Sequence, residues 1–323
     1  MTSSAELTVA PLSLEDAPQI AALLTHLEAV DGIVETFDEV DVREILSSPG
    51  MDPAADSRGV RIGGDLVAIV WVGVGSAADA EGFHRAEVSG GVHAEHRRRG
   101  IGARLLAFAE DRAAALMRER HPGAPHHLRI SGGVETSTVR HLLRREGYAP
   151  ARSWLDLARD LPGESLPETL PPGVELAPVR PEDSREVRLA HLEAFRDHWG
   201  SAPIDEERWA SMWDSAKSRH DLGTVARDAA GKVVGYVLAA QYEPDSLYVA
   251  LVGTVPAARG RGIARAMLAS TIRRAAEVAG LHEVTLEVDS ESLTGATRLY
   301  EGLGFRRRRE RVTFQKDVPA SSV

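Results

Sequence analysis

Cysteine is absent from all 323 residues, which removes disulfides, a thiolate nucleophile and any cysteine-built zinc or iron–sulfur centre together. Long apolar runs are missing as well. No stretch approaches the ~18–20 uninterrupted apolar residues of a membrane span, and Met1 to Leu7 carry neither the basic stretch nor the apolar run of a signal peptide. The expected location is the cytoplasm, with no membrane partner. A positive excess is also lacking: the net charge of −10 argues against nucleic acid as a partner. The pattern Gly-x4-Gly-Lys-Ser/Thr occurs nowhere, so an NTPase of that class is excluded. One Gly-x-Gly-x-x-Ala spans Gly73 to Ala78, but no helix-forming stretch follows it and no suitable acid at ~20 residues completes a dinucleotide site. His126 and His127 have no ligand constellation, and no metal is expected.

What is present is a globular composition, 43% apolar and 27% charged, on a chain long enough for two domains with separate cores. Residues 161–173 hold four prolines, two glycines and no apolar periodicity, the mark of a linker. Either side of it the chain repeats itself. Residues 7–16 parallel 174–183 and residues 64–72 parallel 231–239, both at an offset of 167; residues 97–102 parallel 259–264, and 142–148 parallel 299–305. Four matches in one order indicate a duplicated unit. Each copy reads strand, helix, helix, hairpin, strand, loop, helix, strand, helix, strand. The expected domains are residues 1–160 and 174–323.

The third match carries the chemistry. Arg97-Arg98-Arg99-Gly100-Ile101-Gly102 and Arg259-Gly260-Arg261-Gly262-Ile263-Ala264 each follow an apolar strand and open an amphipathic helix. A helix N-terminus offers unpaired N–H groups and a partial positive charge, so it attracts an anion before any side chain contributes. Glycines let the anion approach the backbone, and the leading arginine adds charge-assisted hydrogen bonds. Arg306 to Arg309 form a second basic cluster, read as solvated surface.

Strand, Arg-x-x-Gly-x-Gly/Ala and helix in succession resemble the GNAT superfamily of N-acetyltransferases. The second copy adds residues 286–305, which end in a Leu-Tyr-x-x-x-Gly-Phe pattern, Leu299 to Phe305. The resemblance covers essentially the whole chain, in a paired layout similar to that of the mycothiol synthases. It implies an α/β (α+β) fold of two domains, each a mixed, splayed β-sheet flanked by helices. It implies acetyl-CoA, or another acyl-CoA, as cosubstrate and an amine as acceptor. The pyrophosphate would lie in the two loops. Val92, Thr254 and Val255 would belong to the CoA-binding sites, with a backbone N–H near Thr254 or Val255, freed by a β-bulge, facing the carbonyl oxygen. Ser292 stands where the family usually has Asn, a departure that bears on one hydrogen bond to the pantetheine arm.

Tyr300 falls at the place of the family's general-acid tyrosine, where the alternative is a core aromatic on an amphipathic helix. The first copy has Leu143 there, which cannot donate a proton, so that domain is expected to be impaired while still able to bind CoA. The family's strand carboxylate has a counterpart in the first copy, Glu87, and none in the second. For the second copy Glu243, Asp245, Asp197, His198 or a chain of waters remain as routes for the amine proton. The acceptor region implied is the segment with Asp197, His198 and Trp199, where a tryptophan beside acids suits a small cationic amine. Trp209 and Trp213, four apart, equally fit simple helix packing. The expected activity is acetyl transfer through the second domain. A CoA-binding module without turnover, and acylation of protein lysines or N-termini, stay open.

Overall fold

The computed structural model describes residues 7–164, 166, 169–196, 198–277, 281–292 and 295–320. In chain order the first half contains β1 (Leu7–Ala10), α1 (Ala17–Val30), α2 (Glu39–Leu46), α3 (Pro53–Asp56), β2 (Ser57–Ile62), β3 (Asp65–Val74), β4 (His84–Val92), α4 (Ile101–Arg120), β5 (His126–Ser131), α5 (Val139–Arg145) and β6 (Ala149–Asp160). The second contains β7 (Val174–Pro178), α6 (Ser184–Ala194), α7 (Glu206–Trp213), β8 (Thr224–Asp228), β9 (Val233–Glu243), β10 (Ser246–Thr254), α8 (Ile263–Glu277), β11 (Glu283–Asp289), α9 (Ala296–Glu301) and β12 (Arg306–Val318). Apart from the short α3, this is the order the repeats predict. The fold is mixed α/β. No helix among the described residues is long and apolar enough to cross a membrane.

Local chemistry explains the boundaries. Asp38 caps α2 through the N–H groups of Val40 and Asp41, and Asp41 returns a bond to the Asp38 N–H. Gly63 and Gly64, at φ 62° and 97°, form the two-residue turn that joins β2 to β3. Leu66, Val67, Ala68, Ile69 and Val70 are buried in succession, because β3 has helices on both faces. The α4 residues Leu105, Leu106, Ala109 and Leu116 fill one side, while Ile20 and Leu23 of α1 fill the other.

The chain divides into two compact units, residues 1–151 with 311–323, and residues 152–310. This differs from the division the linker suggests. The last strand of each repeat serves the opposite unit: residues 154–160 of β6 pair with β11, and residues 313–318 of β12 pair with β5. Strand pairing and core contact, which no linker composition encodes, set this boundary.

Within each unit the central parallel pair opens partway. β4 and β5 pair from His84↔His126 to Val88↔Ile130, after which β4 runs on to Val92 without its neighbour. β10 and β11 pair from Ser246↔Glu283 to Val249↔Leu286, and β10 runs on to Thr254. Both sheets are therefore splayed toward the loop that follows.

Candidate active sites

The two loops share a backbone path. A single 3-10 turn, Ala94–His96 or Pro256–Ala258, leads from the strand, and then the chain takes two left-handed residues. These are Arg98 (φ 63°) and Gly100 (φ 79°) in the first unit, Gly260 (φ 73°) and Gly262 (φ 81°) in the second. A Cβ at Gly100, Gly260 or Gly262 would meet nothing within 4 Å, so backbone conformation rather than crowding calls for glycine. Arg98 holds the same conformation with a side chain, at a cost of about 1 kcal/mol. No side chain caps α4 at Gly100, and the first intrahelical bond runs from the Arg104 N–H to the Gly100 carbonyl. The N–H groups of Ile101, Gly102 and Ala103 precede it and are left for an anion. In the second unit the Ala266 N–H bonds to the Gly262 carbonyl, which leaves those of Ile263, Ala264 and Arg265 in the same position.

The leading arginines have a second task. Arg97 Nε donates to the Val92 carbonyl at 3.1 Å, and Arg259 Nε to the Thr254 carbonyl at 3.2 Å. Each also reaches across its unit: Arg97 to Thr138 Oγ1 and Arg259 to the Ala194 carbonyl, at 3.3 and 2.7 Å. They brace the loop against the end of the strand. Arg99 and Arg261 bind the carbonyls of Glu95 and Pro172. Arg307, Arg308 and Arg309 of the other basic cluster pair with Glu310, Glu283 and Asp156 on β12 and its surroundings, away from either loop.

Backbone parity along β10 sorts the carbonyl-oxygen donors. The Val255 N–H donates to the Val234 carbonyl at 3.0 Å, so Val255 is committed to β9 and is not the donor the sequence allowed for. Alternate residues point the other way, and the N–H groups of Val252 and Thr254 face the splay. The β-bulge is also displaced from its expected place. Val249 faces Ala239 and Leu251 faces Leu238, so Ala250 is the extra residue, at the point where β10 leaves β11. Thr254 Oγ1 is buried with no partner among the described residues. In the first unit the His93 N–H donates to Val67, which turns the Val92 N–H toward the splay in the same way.

Tyr300 is 7% exposed on α9 and stacks edge-on to Phe305, with ring centroids 5.9 Å apart. Burial pushes its hydroxyl up to about 12, so it is protonated throughout the neutral range. Leu143 occupies the same place in the first unit: the Tyr148 N–H bonds to its carbonyl just as the Phe305 N–H bonds to that of Tyr300. Ser292 lies in the turn from β11 into α9, where its carbonyl accepts from the Gly295 N–H.

Glu243, Asp245 and Glu87 are not brought to either cleft. Glu243 and Asp245 flank the hairpin between β9 and β10, at the end of β10 where it still pairs with β11. Ala250 lies five positions beyond Asp245, roughly 17 Å of strand. Glu87 pairs with Arg85 on the surface at 2.7 Å, and it is not among the residues lining the first unit's cavity. Asp197 lies outside the described residues.

Two polar groups that sequence reasoning missed do reach the splay. His191 Nδ1 and the Tyr236 hydroxyl are 2.7 Å apart, and Tyr236 is fully buried. A Cβ on Gly253 would come within 2.4 Å of the Tyr236 ring and 2.6 Å of its oxygen, so the phenol lies across the open stretch of β10. Burial, with a smaller effect from His198, pulls His191 down to about 4, which keeps it neutral. The signal was available in the repeat: at the same offset of 167, the first copy has Leu24 for His191 and Ile69 for Tyr236.

Trp199 is placed beside Arg152, whose guanidinium stands 4.9 Å from the ring, and beside Trp154 at 6.4 Å. Its ring already carries a cation from the chain itself. Arg152 in turn holds Asp289 at 2.8 Å and Glu291 at 2.6 Å, at the open end of β11. His198 Nδ1 lies 3.2 Å from the Trp199 carbonyl. Trp209 and Trp213 are 2% and 3% exposed core residues, and Trp209 donates to Ser184 Oγ. They pack α7 and do not line a site.

Comparison with known proteins bears on both units. The profile of the acetyltransferase (GNAT) family matches residues 33–121 and again 185–305. The chain is 30% identical over 316 residues to a mycothiol acetyltransferase of Salinispora arenicola, covering 93% of this chain and 94% of that one. It is 28% identical to the protein of that name from Frankia casuarinae, covering 91% and 82%. Among solved structures, a GCN5-related N-acetyltransferase from Sphaerobacter thermophilus superposes with a TM-score of 0.78 at 26% identity over 98% of each chain. A tandem GNAT protein of the clavulanic acid pathway shares the fold at a TM-score of 0.71 and 18% identity, over 98% of this chain and 100% of that one. With two family matches laid over two splayed sheets and two glycine loops, the chain belongs to the acetyltransferase (GNAT) family and is an N-acetyltransferase that draws on a CoA thioester.

Proposed function

We propose that acetyl-CoA is the donor, that a small cationic primary amine is the acceptor, and that turnover takes place in the second unit. The observation that carries this reading is the contrast at one place in the repeat: Tyr300 on α9 of one unit, Leu143 at the matching place on α5 of the other. The thioester arm would lie along the open stretch of β10, its pyrophosphate on the N–H groups that open α8 and its carbonyl oxygen toward the outward N–H groups. The amine nitrogen attacks the carbonyl carbon, a C–N bond forms and the C–S bond breaks. A phenol raised to about 12 is a weak acid toward a sulfur of ~8.5. Transfer from Tyr300 to the sulfur is therefore coupled to return of the proton that the attacking nitrogen sheds.

With Glu243 and Asp245 remote, the incoming ammonium is proposed to lose its first proton to water. His191 and Tyr236, both neutral, position groups in the cleft rather than accept that proton. Asp289 and Glu291 against the single Arg152 leave the acceptor side one negative charge in excess, which supports a cationic amine. The name shared by the relatives makes the mycothiol-related amine the first acceptor to assay. The first unit keeps its loop and is proposed to bind a CoA without turnover. Thiol release from acetyl-CoA over a panel of amines tests the reading. Wild type releases thiol with at least one small amine, and Tyr300→Phe lowers kcat by roughly 10²-fold or more with CoA affinity unchanged. Unchanged kcat in that variant removes Tyr300 from the reaction.

A further inference from the structure

We propose that the cleft of the first unit holds a CoA thioester with an acyl chain longer than acetyl, and holds it without passing it on. This rests on reading residues 97–102 as a CoA loop. A single cavity of about 890 Å³ runs from that loop, at Arg98 and Gly100, along the splayed end of β4 to the space beneath α1 and α2. Where an acceptor amine would be expected, the wall is Leu24, Leu27, Phe37, Ile45, Ile69 and Trp71.

Three matched positions separate this wall from the second unit. Leu24, Ile69 and Leu143, all lining the cavity, stand where the other copy has His191, Tyr236 and Tyr300. Every polar group that the second cleft offers at these positions is hydrocarbon in the first. The two acids at the cavity have partners in their own unit, Glu28 sharing Arg311 with Glu35 and Asp31 accepting from the Ser137 hydroxyl. Against the six apolar side chains an ammonium group would give up water and find no hydrogen-bond acceptor. An alkyl chain would instead exchange water for six apolar side chains. The thioester reaches that space as a continuation of its own arm, since loop and chamber belong to one cavity.

The test is calorimetric titration of the full chain, with the second loop disabled by Gly262→Asp, against CoA and acetyl-, butanoyl-, hexanoyl- and octanoyl-CoA. The expected result is that each added methylene tightens binding by up to ~4-fold until the chamber is full. The double substitution Leu24→His with Ile69→Tyr, which grafts the second copy's pair, flattens that series while leaving CoA itself bound. A flat or falling series in the parent, or a slope that survives the graft, overturns the inference with the CoA loop reading intact. Failure of every CoA species to bind overturns both.

Discussion

At the residue scale, the sequence located Tyr300 by pattern and the structure adds the state of its proton. Burial lifts the hydroxyl to about 12 against an ordinary value of ~10, so it does not ionise within any usable assay range. No loss of rate on the alkaline side is therefore due to Tyr300. With water proposed to take the amine's proton, kcat/KM should rise with pH in step with the neutral fraction of the acceptor amine, with unit slope below the amine's own pKa. A plateau near pH 6–7, well below that pKa, would show an enzyme base and contradict the assignment. The glycines of the loops argue differently. Gly262 sits at φ 81° with open space around it, so Gly262→Ala should cost about 1 kcal/mol in denaturant unfolding through backbone strain alone. Glu243 and Asp245, the carboxylates that sequence reasoning offered as bases, are near β10 in number. They are far from the splay because a strand rises about 3.3 Å per residue.

At the element scale, β9 and β10 show what was legible and what was not. Apolar, β-branched runs gave the strands, and the repeat gave their order. The bulge at Ala250 was not legible, since one extra residue in a ladder leaves no mark in composition. Nor was the crossing of Tyr236 over Gly253, which needs the register Gly253↔Tyr236 to be known. Gly253→Val should push the Tyr236 ring off its place, break its 2.7 Å contact with His191 and lower kcat, whereas Gly231→Ala in a remote turn should spare turnover. The same pair has a pH signature. His191 titrates near 4 when folded and near 6.5 when unfolded, so between those values the unfolded chain binds more protons. Stability that is present above pH 6.5 is lost as the pH falls toward 4, by at most ~1.4 kcal/mol per pH unit from this group. Denaturant melts at pH 7 and pH 5 should show the loss, and His191→Gln, which keeps a hydrogen-bonding side chain without the titration, should reduce it.

At the scale of the whole chain, duplication was legible and the assignment of strands to units was not. Four ordered matches announced two copies, while the proline-rich residues 161–173 suggested that each copy closes on itself. Instead residues 311–323 belong with the first unit and 152–160 with the second. Phe314 makes the consequence testable. It is fully buried in the first unit's core, and a Cβ on Gly132 would come within 2.4 Å of its ring. Phe314→Ala should cost about 3–5 kcal/mol of that unit's stability, as large truncations in packed cores do. Although the substitution lies in the last strand of the second repeat, its effect should fall on the cavity of the first unit. CoA binding there should weaken, while thiol release by the second unit persists at temperatures where the first has melted. A fragment of residues 1–160, the first repeat entire, should in turn fail to fold cooperatively, because it lacks the strand that pairs Thr313 to Val318 with Ser131 to His126. If that fragment instead melts with the full chain's first transition, residues 311–323 are dispensable to the unit and the exchange of strands carries no stability.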